Sequence, residues 1–67
     1  MNATDQLELA IRDSIAMEAC KTWRDLEYVT RGIEARHAVE GVSKDALALY
    51  EDEKAKHAER VARAMVA

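Results

Sequence analysis

Glu34-Ala-Arg-His37 is the segment of this chain whose residue types point most directly to chemistry. Side chains three apart on a helix project from one face, and Glu-x-x-His is the spacing with which helical bundles hold paired iron or manganese ions. Such a centre also needs carboxylates from facing helices. Glu53 and His57 downstream stand four apart, and nothing in the spacing of Glu27 or Glu40 forces either toward the same point. Four-residue matches arise by chance in a Glu-rich helix. His37 therefore reads as a histidine favoured by the negative end of a helix dipole, and His57 as a boundary residue. A metal-binding helical bundle stands third among the readings, and no cofactor is assigned.

Nucleophilic catalysis finds less support. Cys20 is the single cysteine, near Trp23, and reads as a small buried hydrophobe. Ser14 and Ser43 have no base that spacing would bring to them. A short helical chain also offers no deep concavity unless copies assemble one. The expectation is a non-enzyme.

Basic residues recur at helical spacing. Lys21, Arg24 and Arg31 share one flank with Tyr28, and Lys56, Arg60 and Arg63 share another further on. If the chain turns back at Gly41, residue 21 comes level with 63, 24 with 60 and 28 with 56. The two flanks would then form a cationic patch holding an aromatic ring, which suits phosphate contact and base stacking, RNA ahead of DNA. Against this, Glu27 to Arg31 and Glu59 to Arg63 are i, i+4 pairs of the kind that decorate solvated helix faces. The net charge of -3 also argues against general affinity for nucleic acid. Nucleic-acid binding is the second reading.

The elements that would position these groups are helical. The chain has no proline and two glycines, 49% of its residues are apolar, and only three are aromatic. Abundant Ala, Glu, Arg and Lys favour helix. At 67 residues it makes one domain, residues 1–67, whose core is marginal without a staple or a partner. One cysteine permits no internal disulfide. The acidic start, with no basic segment and no long apolar run, predicts a cytoplasmic protein without signal peptide or membrane span.

Gly41 suits a helix C-cap, Ser43 an N-cap, and Asp45 the first turn that follows. Val42 and Leu47 take the positions of a hydrophobic staple, and Asp5 with Glu8 resembles a capping box. An apolar stripe runs Ile11, Ile15, Ala19, Thr22, Leu26, Val29, Ile33 and His37 in steps of three or four. It predicts one long helix over about 5–40, with Gly32 its weak point, followed by a helix over about 44–66. The predicted fold is thus an all-α antiparallel two-helix hairpin, dimerising into a four-helix bundle. On that geometry the second helix ends near residue 18 of the first. Leu7, Leu9, Ile11, Ile15 and Met17 are left uncovered, and with Trp23 they form the predicted dimer or partner interface. The leading functional reading is an interaction module: a homodimer that binds another protein as adaptor, inhibitor or chaperone through an apolar helix face.

Overall fold

The computed structural model describes residues 3–66. Three helices account for nearly all of them, with no strand among the described residues: α1 (Ala3–Glu18), α2 (Trp23–Glu40) and α3 (Lys44–Val66). The long first helix predicted over 5–40 is therefore two helices. The break falls at residues 19–22, not at Gly32, which lies inside α2.

The break has a local cause. Thr22 takes an extended conformation (φ -125°, ψ 162°), and its hydroxyl accepts a 3.2 Å hydrogen bond from the Asp25 amide. A hydroxyl that satisfies one of the four free amides of a helix start is worth about 1 kcal/mol. Asp25, in the same first turn, adds a favourable charge at the positive end of the dipole. A second source of stability is tertiary, because breaking here lets α1 fold back on the hairpin behind it. The α2–α3 turn forms as its residues dictate. Gly41 caps α2 at φ 83°, its amide donating to the His37 carbonyl at 2.9 Å, and the Ser43 hydroxyl accepts from the Ala46 amide at 3.2 Å. At the other end, α1 already includes Ala3, so Asp5 belongs to its first turn and is not a cap.

Cross-helix bonds fix the directions. The Gln6 side chain accepts from the Ser43 amide, the Ser14 hydroxyl donates to Glu53, and Arg60 reaches the carbonyls at the end of α1. α1 therefore runs parallel to α3, with α2 antiparallel to both: an up-down-up bundle of three helices measuring 41 × 17 × 16 Å. A pair of such chains would assemble six helices, so the four-helix dimer expected from two hairpins does not follow from this fold.

The core is Met17, Cys20, Leu26, Ile33, Tyr50 and Val61, with Val29 and Ala58 packed against it. Leu26 and Ile33 come from the predicted stripe, whereas Ile11 and Ile15 face outward. Once the helix breaks, the phase of α1 no longer has to match that of α2. The face of α1 turned inward is Ala10, Asp13 and Met17, continued by Cys20. Met17 is fully buried, which removes it from the predicted interface: its side chain is part of the chain's own core.

Candidate functional site: the outer face of α1

With Ala10, Asp13 and Met17 turned inward, the opposite side of α1 carries Leu7, Ile11 and Ile15, exposed by 53%, 58% and 61%. Their spacing of four places them in one row along three turns. Soluble chains scatter single apolar residues over their surfaces, but a contiguous row of large ones marks a contact surface. Leu49 of α3 extends it. Leu49 stands one turn before Glu53, as Ala10 stands one turn before Ser14, and the Ser14–Glu53 bond of 3.0 Å sets those levels side by side. Leu49 is 38% exposed at the level of Ala10, one residue from Ile11 along the axis. On the side away from α3 the row is edged by Glu8 and Arg12, both exposed and without an ion pair among the described residues.

Two further residues of the predicted interface lie elsewhere. Leu9 is half-buried and lines a small cleft with Ala10, Asp13, Arg36, His37 and Tyr50. Trp23 is 45% exposed at the start of α2, beside an open groove between α2 and α3 that also includes Leu26, Thr30 and Ala58. Neither the row on α1 nor this groove includes both Trp23 and Ile11.

The cationic residues do not gather. Near the turn the register is the predicted one, since the Tyr50 hydroxyl of α3 meets Glu34 of α2 at 2.6 Å. The side chains, however, go separate ways. Arg31 bonds Glu27 at 2.6 Å and Arg63 bonds Glu59 at 2.5 Å, both within a helix, and Lys56 lies 3.5 Å from Glu53. Arg60 turns toward α1, where its Nη2 donates to the carbonyls of Met17 (3.1 Å), Glu18 (3.3 Å) and Cys20 (2.9 Å). A guanidinium at the negative end of a helix that has no basic residue in its own last turn is a structural cap. Lys21, Arg24 and the 82% exposed Tyr28 are left open. No protein family, curated protein or solved structure matches this chain.

Glu34 and His37 do lie on one side of α2, but their chemistry is spent on Tyr50. The Tyr50 hydroxyl donates to Glu34 at 2.6 Å, and Lys54 donates to the same oxygen at 2.8 Å. Both bonds hold the Glu34 carboxyl below the ordinary glutamate range, Lys54 foremost. Burial, then the Glu34 carboxylate, pushes the Tyr50 phenol well above its usual value. The His37 ring meets Tyr50 edge-on at 5.2 Å between centroids. His57 lies 3.4 Å from Glu53 and accepts from Arg60 at 3.3 Å. The Ser14 hydroxyl, ahead of Lys56 and His57, lowers the Glu53 carboxyl. Among the described residues no three His, Cys, Asp or Glu side chains converge on a point that could hold a metal ion. Cys20 is buried, its hydrogen bonded to the Ala16 carbonyl at 3.4 Å, and burial with nearby Asp25 raises its thiol above the ordinary value. A thiol so placed is a weak nucleophile.

One group that spacing did not disclose is the pair Asp13–Arg36. It is bidentate, with Nη1 3.0 Å from Oδ1 and Nη2 bonded to Oδ2, and it joins α1 to α2. Nothing in a sequence separation of 23 signals it, because the pair exists only once α1 has folded back.

Proposed function

We propose that this protein is a small non-enzymatic interaction module of the cytoplasm, acting as an adaptor, inhibitor or chaperone, and that it engages another protein through the outer face of α1. The observation that carries the reading is the row Leu7, Ile11 and Ile15, more than half exposed on a helix whose other face already completes the core. Binding would follow the helix-on-helix mode, in which apolar side chains one turn apart seat against a partner's groove. No helix among the described residues is long and apolar enough to cross a membrane. The dispersal of Arg31, Lys56, Arg60 and Arg63 into pairs and a cap takes four of the six cations away from the nucleic-acid reading.

The test is affinity capture from host lysate with the intact protein, with Ile11→Asp/Ile15→Asp and with Lys21→Ala/Arg24→Ala, each with and without nuclease. A protein retained by the wild type and the basic-site variant but lost by the α1 variant supports the proposal. Retention by the α1 variant overturns it. A catch lost with nuclease and with the basic-site variant would shift the assignment to the flank around Tyr28.

A further inference from the structure

We infer that the outer face of α1 is a self-association surface, on which a second copy docks its own α1 antiparallel about a two-fold axis through Ile11. This rests on the proposal above that the face is an interaction surface: a second copy occupies it in the free protein, and another protein binds there by displacing that copy.

A two-fold contact places the same patch on both copies and requires it to complement itself. In an antiparallel pair centred on Ile11, Ile11 faces its own counterpart, and Leu7 faces Ile15 of the second copy and the reverse. All three half-exposed side chains are thereby covered in one register. The two-fold also brings like flank to like flank. On the α3 side, Leu49 of one copy approaches Leu49 of the other, closing the apolar strip at its edge.

The opposite flank decides the orientation. Glu8 and Arg12 lie there four residues apart, both exposed. The i, i+4 pairs Glu27–Arg31 and Glu59–Arg63 close within their own helices, whereas Glu8–Arg12 stays open. Across the antiparallel contact Glu8 of each copy falls opposite Arg12 of the other, giving two crossed ion pairs. A parallel two-fold contact would instead turn the Glu8–Arg12 flank of each copy toward the Leu49 flank of the other, leaving both charges against an apolar edge without a partner. The charge pattern is thus complementary to itself in one direction only. A strip of three residues per copy with a single flanking pair is a small interface, of the class that associates weakly and reversibly.

Sedimentation equilibrium over a range of protein concentrations tests this with the full chain. Wild type is expected to pass from monomer to dimer, and Ile11→Asp to stay monomeric; its helix content, checked by circular dichroism, should be unchanged because the site is exposed. Glu8→Arg and Arg12→Glu should each weaken the dimer by about 5- to 10-fold, and the double exchange should recover it to within about twofold. Orientation is read by oxidation. Ile11→Cys should cross-link to its counterpart, whereas Leu7→Cys should not, since two copies of residue 7 would stand roughly 12 Å apart along the axis.

A wild type that is monomeric at every concentration overturns self-association and leaves the α1 face to be judged by the capture experiment. A dimer indifferent to Ile11→Asp overturns the use of this face. A double exchange no better than the single ones, or efficient cross-linking through residue 7, overturns the antiparallel arrangement.

Discussion

Replacing Arg36 should cost more than replacing Asp13, although both substitutions break the same ion pair. The Asp13 side chain is 10% exposed and that of Arg36 28%. Arg36→Ala strands a carboxylate between helices with neither oxygen bonded to its former partner. Removing one member of a buried pair costs about 3–5 kcal/mol, because the survivor keeps its desolvation penalty without compensation. The partial exposure of Arg36 argues for the lower end, about 3 kcal/mol. Asp13→Ala leaves a guanidinium that already reaches water and feels Glu40 one turn on. That loss should fall at the lower end of the range of about 1.5–3 kcal/mol for a hydrogen bond to a charged group. Replacing both by leucine should come within about 1 kcal/mol of wild type, since apolar side chains of similar volume do as well as a buried pair. In a domain of this size each kcal/mol moves the melting temperature by about 4–8 °C, so Arg36→Ala should fall by more than about 10 °C. Urea and thermal unfolding followed by circular dichroism measure all three variants. Equal losses from the single variants, or a double variant as unstable as Arg36→Ala, would refute the reasoning that burial of the carboxylate sets the cost.

The two glycines should respond in opposite directions. An added Cβ meets nothing within 4 Å at either site, so backbone conformation alone decides. Gly32→Ala, inside α2, should stabilise by about 0.5–1 kcal/mol, while Gly41→Ala, at φ 83°, should destabilise by about 1–2 kcal/mol; denaturation midpoints report both. Stability should also decline at both ends of the pH range. Tyr50 ionises less readily folded than unfolded, so its contribution is full below the ordinary value of 10.0 and is lost as pH rises beyond it. Tyr50→Phe should flatten that alkaline limb. Glu34 and Glu53 are depressed when folded, so theirs is present above the ordinary 4.5 and is lost as pH falls through their lower folded values. Glu53→Gln should flatten the acid limb, read from urea midpoints at intervals across the pH range.

The α2–α3 hairpin was legible because its turn is written in residues with local meaning: Gly41 for a positive φ, Ser43 for a cap, Asp45 for the dipole. The α1–α2 break was not. Residues 19–22 contain neither glycine nor proline, and Ala19 and Thr22 fall on the same three-or-four spacing as the stripe on either side. One local signal was available in Thr22-x-x-Asp25, the spacing of a capping box. It was outweighed by a periodicity that ran across the break by coincidence. Gly32, the poorest helix former in the segment, stays helical because α2 is held by Leu26, Thr30 and Ile33 on its buried face.

Leu7, Ile11 and Ile15 were expected to lie uncovered because the second helix would end short of them; the structure leaves them exposed for a different reason, which bears on what the helix does. Apolar periodicity assigns the most hydrophobic row of a helix to the core, and on α1 that row is Leu7, Ile11 and Ile15. The face that enters the core is Ala10, Asp13 and Met17, a less hydrophobic set. The buried set is chosen by fit. Ala10 sits among Asp13, Arg36, His37 and Tyr50 around the small cleft beside the α2–α3 turn. Asp13 is positioned to engage Arg36, and Met17, flexible enough to fill an irregular gap, completes the cluster with Cys20 and Val61. Those three satisfy the chain's own packing, so the stronger apolar row gains nothing within one copy from being apolar. Burial of such a row is favourable only against something else. The failure of the periodicity rule at α1 is therefore the same fact as the exposed row, and it is on that row that the proposed contact with a second helix rests.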